Sequence, residues 1–200
     1  MKRVLVLDYG SGNLRSAQRA LERVGAVVTV SPDATAGERA DGLVVPGVGA
    51  FAACMAGLRG VRGPELVHRW VADERPLLGI CVGMQVLFDA GIEHGVESQG
   101  LGVLAGRVER LSAPVLPHMG WNTVSTPAGS RLFAGLDADT RFYFVHSYAA
   151  HKADGVVTFA EHGEPFVAAV ESGTVSATQF HPEKSGDAGA VLLGNWLGTL

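Results

Sequence analysis

The chain has 200 residues, 47% of them hydrophobic and 18% charged, which predicts one globular domain over residues 1–200 with a substantial core and excludes a disordered segment. A formal net charge of −4 gives no basic footprint for nucleic acid. Cys54 and Cys81, the only cysteines, are too few and too far apart for a disulfide framework or a CxxC metal site. The apolar run before Asp8 is too short for a signal peptide and no run approaches a membrane span, so the expectation is a reduced, cytoplasmic protein without membrane contact.

In chain order, RVLVLD (3–8) reads as a short strand buried on both faces. A helix follows, with Leu14, Ala17, Leu21 and Val24 on one stripe and Gly25 at its end. Strands AVVTVS (26–31) and GLVVPG (42–47) come next, then helices over 51–58 and 64–73. Strand PLLGIC (76–81) leads into a helix predicted over 82–89. Repeated strand–helix order predicts an α/β fold with a mostly parallel central sheet flanked by helices. From residue 100 onward the text becomes strand-like pieces between Gly and Pro turns, such as TRFYFVHSYAA and VSATQFHP, which predicts an additional β-rich layer. Residues 112–120 come nearest to a linker, and the last thirteen residues read as a closing helix.

LLGICVGMQVLF (77–88) carries the first chemical signal. Gly79-x-Cys81-x-Gly83 at a strand-to-helix junction fits a nucleophile elbow, in which a sharp turn holds the nucleophile above the sheet edge. The unpaired amides and positive dipole end of a helix start favour thiolate over thiol. The alternative is a buried structural cysteine. A nucleophile needs a base, and the base an orienting group. Of seven histidines, His68, His94, His151 and His162 stand in helix or loop-like text that predicts solvated surface. His181 instead ends an apolar strand in ATQFHPEKS. In extended chain Glu183 falls on its side, where a carboxylate can fix the imidazole tautomer and stabilise its cation. No metal is expected, because neither cysteine has a second ligand at helix or hairpin spacing. PGVGAF (46–51) could aim amides at the same sheet edge, with Val82 as a second donor. DYGSGNL fails the dinucleotide fingerprint, since Arg15 occupies the third glycine position, and reads as a tight turn with Asn13 capping the helix.

PGVGAF, GICVGMQVLF and QFHPEKS, in this order, resemble the class I (triad) glutamine amidotransferases. DYGSGNL, GLGVL, HMGWN, YFVHSY and the complete HPEKS extend the resemblance over nearly the whole chain, to the glutaminase subunits of imidazole glycerol phosphate synthases in histidine biosynthesis. Val82 departs mildly from the pattern, leucine being common there. The resemblance implies that Cys81 attacks the carboxamide of glutamine to give a γ-glutamyl thioester. His181 would move the protons and Glu183 orient His181, with Val82 and either Val48 or Gly49 supplying oxyanion amides. It further implies substrate contacts at Gln85, Glu93, Ser147 and Tyr148, and no cofactor. The implied partner is a separate cyclase subunit with a (β/α)8 barrel, forming a heterodimer that shields ammonia from water. Contacts with it are expected at Asn13, Trp121, Asn122, Tyr143 and Lys184. Three other readings stay open: the glutaminase of another pathway (pyridoxal phosphate, anthranilate or GMP synthesis), a stand-alone γ-glutamyl thiol hydrolase, and an inactive binding module.

Overall fold

A computed structural model describes residues 1–200. Its centre is a seven-stranded sheet. Strand β1 (Arg3–Leu7) pairs in parallel with β2 (Val27–Ser31) and β3 (Gly42–Gly47), and β3 pairs in parallel with β4 (Leu77–Cys81). Helix α1 (Leu14–Arg23) connects β1 to β2 and buries Ala17 and Leu21, as the stripe requires. Helices α2 (Phe51–Gly60) and α3 (Gly63–Ala72) connect β3 to β4. Every residue of β3 and β4 is buried, which is what near-continuous apolar runs demand of central parallel strands.

Helices cover both faces of this sheet. Leu5 is level with Leu43, so Leu5 and the neighbouring Gly42 point to opposite sides. Leu66 and Trp70 of α3 gather with Leu5 around Gly37, while Trp196 and Leu200 lie against Gly42. Trp196 belongs to α5 (Gly186–Leu197), the closing helix, which begins two residues earlier than the sequence suggested. Fifty buried residues form one connected hydrophobic cluster. No helix is long and apolar enough to cross a membrane.

One expectation needs correction. The helix after Cys81 is a single turn, α4 (Val82–Gln85), and the chain then becomes strand β5 (Phe88–Glu93). Long-range pairing overrides helical periodicity here. The carbonyls of Val86, Leu87, Phe88 and Asp89 accept from the amides of Leu101, Val103, Leu104, Gly102 and Gly100, and cannot continue a helical ladder. The C-terminal half supplies the expected additional β-rich part, divided among three sheets. β11 (Val156–His162), β12 (Glu164–Ser172) and β13 (Val175–Thr178) extend the central sheet, β13 joining β4 in parallel and the other two adding antiparallel. The remaining strands make two small sheets. One holds β5, β6 (Val96–Gln99), β7 (Leu104–Arg110) and β10 (Tyr148–Ala150). The other pairs β8 (His118–Thr123) with β9 (Arg141–His146), so the end of the linker-like stretch is strand.

The junction of β3, β4 and α4 depends on close backbone approach. A methyl group on Gly83 would run into the carbonyl of Val45, and one on Gly79 would sit 2.8 Å from Gly83 O and 3.0 Å from Met84 Cα. Both clashes are with backbone, which cannot swing aside. Gly83→Ala is therefore expected to destabilise the fold by roughly 2–4 kcal/mol, read as a lowered urea midpoint with unchanged slope.

Candidate active site

Cys81 ends β4 with φ +55 and ψ −116, a conformation that L residues rarely adopt. Strain of this kind persists only where the surroundings enforce it, and here the two flanking glycines and the parallel neighbour β3 do so. The turn sets the thiol at the carboxyl edge of the sheet. His181 arrives at the same edge from β13, the strand beside β4, and a short 3-10 turn over Pro182–Lys184 brings Glu183 under it. The expected pairing of positions 181 and 183 is met: His181 Nδ1 lies 2.7 Å from Glu183 Oε1, with both side chains almost fully enclosed.

Burial disfavours a charged His181, but the nearby Cys81 sulfur and the hydrogen-bonded Glu183 carboxylate outweigh it and push the imidazole up to about 9. The opposite nitrogen, Nε2, is buried and has no aligned hydrogen-bond partner, so the nearby thiol acts on it electrostatically without a formed bond. This leaves Nε2 free to take or give a proton on the thiol side. Cys81 and His181 open on a cavity of about 200 Å³ that is also lined by Gln85, Glu93, Ser147, Tyr148, Val48, Gly49 and Val82. A larger cavity, about 650 Å³, lies around Ser130, Phe133 and Asp137, but its lining contains neither cysteine nor histidine. Of these two cavities, only the smaller is lined by a cysteine and a histidine.

The other expected contacts are placed as follows. Gln85 is buried in α4, and its Nε2 donates to Tyr148 O at 2.8 Å and to Gln179 Oε1 at 2.9 Å. Glu93, at the end of β5, accepts from the Phe51 amide at 3.1 Å and so also ties down the start of α2. Val48 and Gly49 follow β3, but the Val48 amide donates to Ser11 Oγ at 3.1 Å, and the same hydroxyl donates to Val48 O at 2.7 Å. In this arrangement the Val48 amide is committed to Ser11. Cys54 is buried against the same serine, with its Sγ 3.2 Å from Ser11 Oγ, and burial pushes its thiol up.

Beside the cavity, Trp121 stands edge-on to Tyr143 at 5.9 Å, and Lys184 Nζ lies 5.8 Å from the Tyr143 ring. Trp121 and its neighbour Met119 are 55% and 66% exposed, an unusual pair of open apolar side chains on one strand. Asn122 turns the other way. Its side-chain amide donates to Glu161 O and contacts His118 Nε2, so it is occupied within the protein. Asn13 occupies the start of α1, yet its side chain makes no capping bond, contrary to the sequence reading.

Sequence reasoning missed a buried histidine pair. His118 Nδ1 lies 3.0 Å from His146 Nε2, and His146 Nδ1 donates to Tyr148 O at 3.1 Å. His162, expected on the surface, is half-buried and stacks on His118 with ring centres 4.3 Å apart. Burial, reinforced by the neighbouring rings, lowers His118 to about 4 and His146 to about 3. The unfolded chain then binds more protons than the folded one below the ordinary histidine value of about 6.5. Stability should fall as the pH drops from about 6.5 toward 4, by at most about 1.4 kcal/mol per pH unit for each histidine. Urea midpoints measured across that range check this, and His146→Gln should flatten the slope.

An enclosed thiol at a strained strand-to-helix turn, on one cavity with an imidazole held by a carboxylate, is the arrangement of the cysteine-nucleophile class of site. A family model described as glutamine amidotransferase class-I matches residues 5–197. Solved structures agree on the fold. The chain superposes with a TM-score of 0.77 on one described as a glutamine amidotransferase, at 24% identity over 98% of this chain and 99% of that one. It superposes at 0.75 on one described as PurLQS from Thermotoga maritima, at 20% identity over 99% of this chain and 98% of that one. Among curated proteins, the imidazole glycerol phosphate synthase subunit HisH of Nocardia farcinica is 65% identical, covering 100% of this chain and 99% of that protein. The subunit of the same name from Thermobifida fusca is 61% identical over 99% of each. The chain belongs to the class I glutamine amidotransferases and, within them, to the HisH subunits.

Proposed function

We propose that this protein hydrolyses glutamine at Cys81 and passes the ammonia to a cyclase subunit of imidazole glycerol phosphate synthase. The observation that carries the reading is the convergence of Cys81 and His181, the imidazole held from behind by Glu183, on one small cavity with Gln85, Glu93, Ser147 and Tyr148. The Cys81 sulfur attacks the glutamine carboxamide, and the developing oxyanion is met by the Val82 amide and a second from Val48 or Gly49. His181, cationic at neutral pH, protonates the departing ammonia and leaves a γ-glutamyl thioester. Neutral His181 then accepts a proton from the water that hydrolyses the thioester, releasing glutamate. The 200 residues act together as one glutaminase domain in the cytoplasm.

Partner binding is supported by two features. The similar curated proteins are named as synthase subunits. The exposed Met119 and Trp121, with Tyr143 and Lys184, form an aromatic and cationic rim next to the cavity, suited to covering the exit for ammonia. Asn13 is assigned to the same contact region; Asn122 borders it on the same strand as Trp121, with its side chain turned inward to Glu161 O. Because the Val48 amide is held by Ser11, the free subunit should turn over slowly, and a partner that draws this segment into line should speed it. A cavity of about 200 Å³ suits a single amino acid and argues against a stand-alone hydrolase of γ-glutamyl peptides. The test is glutamate formation from glutamine with and without the barrel cyclase. A marked rise on adding the cyclase supports the proposal. Full turnover by the chain alone, unchanged by the cyclase, contradicts it.

A further inference from the structure

We propose that Gln179 is a further residue of this reaction: its enclosed side-chain amide holds the Cys81 sulfur by donating to it, and holds Gln85 by accepting from it. The inference rests on the reading of Cys81 as nucleophile. Gln179 lies two residues before His181, directly after β13 (Val175–Thr178), and it is 0% exposed. A primary amide removed from water is costly unless its donors and acceptors find partners. Gln179 Oε1 accepts from Gln85 Nε2 at 2.9 Å, and Gln179 Nε2 approaches Cys81 Sγ at 3.8 Å. No other side chain joins the nucleophile directly to the expected substrate contact.

The orientation of both amides follows from one carbonyl. Tyr148 O can only accept, so Gln85 must face it with Nε2. The second N–H of that nitrogen then requires an acceptor, which fixes Gln179 with Oε1 toward Gln85 and Nε2 toward the sulfur. Two consequences follow. A donor aimed at sulfur interacts more strongly when the sulfur carries negative charge, so Gln179 favours the attacking form of Cys81 and restrains its direction. Both N–H groups of Gln85 are consumed inside the protein, leaving its Oε1 as the acceptor available to the cavity. An acceptor at that point suits the ammonium or carboxamide N–H of a glutamine substrate.

The test compares Gln179→Met, Gln179→Glu and Cys81→Ala in the full chain with its cyclase. Glutamine turnover is followed, together with the rate at which iodoacetamide modifies the Cys81 peptide, read by mass. Methionine has no donor, so kcat and the modification rate should both fall about tenfold. Glutamate preserves the acceptor for Gln85, so KM should stay within about twofold. Its ionised form repels the sulfur and its protonated form donates to it, so the kcat deficit of Gln179→Glu should be larger at pH 8 than at pH 6. A role in packing alone predicts no such dependence. The inference is overturned if both variants, folded by circular dichroism, keep kcat and modification rate within twofold of the parent. It is equally overturned if Gln179→Glu shows a deficit independent of pH. Should Gln179→Met fail to fold, the pH dependence of Gln179→Glu decides alone. Turnover surviving in Cys81→Ala would instead remove the nucleophile assignment and this inference with it.

Discussion

Cys81→Ala is expected to lower ammonia release from glutamine by about 10³-fold or more while the protein stays folded. The elbow backbone is set by Gly79, Gly83 and the pairing with β3, none of which needs the sulfur. What disappears is the only thiol on the cavity that holds His181. Cys54 cannot take its place. It is buried, its sulfur is engaged by Ser11 and the Val48 carbonyl, and its surroundings push the thiol up and away from the nucleophilic form. Binding groups and oxyanion amides survive the change and account for whatever rate remains. Glutamate production by the complex, with urea midpoints as a folding control, measures the effect. A loss of less than tenfold would contradict the assignment.

The second large effect is expected for Glu183→Gln, a loss of about 10²–10³-fold in kcat. Triad carboxylates that hold a base in place cost about 10⁴ when neutralised, and a thiol, being intrinsically more nucleophilic, should suffer less. Glutamine at 183 can keep a hydrogen bond to His181 Nδ1 but carries no charge. Glu183 is one of the two groups that raise His181, to about 9, against the opposing effect of burial. Removing its charge lowers the pH at which the imidazole loses its proton. In the parent protein, ammonia release should therefore decline as the pH rises through about 9, because the proton for the leaving group is lost. In the variant that decline should begin at lower pH. A pH–rate profile of both proteins checks the direction, and an alkaline limb that fails to move would count against Glu183 as the orienting group.

Several parts of this site are legible in the sequence because they depend on local geometry. The elbow is written in Gly79, Cys81 and Gly83, where close approach leaves no room for a side chain. The contact of His181 with Glu183 is expected from their spacing of two, although a short 3-10 turn and not extended chain makes it. The parallel half of the sheet follows from doubly buried apolar runs. What escaped depends on distant pairing. Residues 86–89 have helical spacing, yet their carbonyls are taken by residues 100–104, and only the folded chain reveals it. Strands β11, β12 and β13 look like the other C-terminal strands, and nothing local says that they join the central sheet. The bond between His118 and His146 crosses two strands, and Gln179 meets Cys81 across 98 positions. The one available hint of Gln179 was a primary amide between Ala177 and Phe180 just ahead of His181, a residue type that burial tolerates only with partners.

Reaction of the protein with a glutamine-analogue electrophile, such as a diazoketone analogue, measures most directly whether the thiol at the sheet edge is the one that receives the substrate carbonyl carbon. The adduct should form on Cys81 alone, be slowed by added glutamine, and fall sharply in His181→Ala. An adduct on Cys54, or none on Cys81 under conditions where glutamine is turned over, would contradict the account.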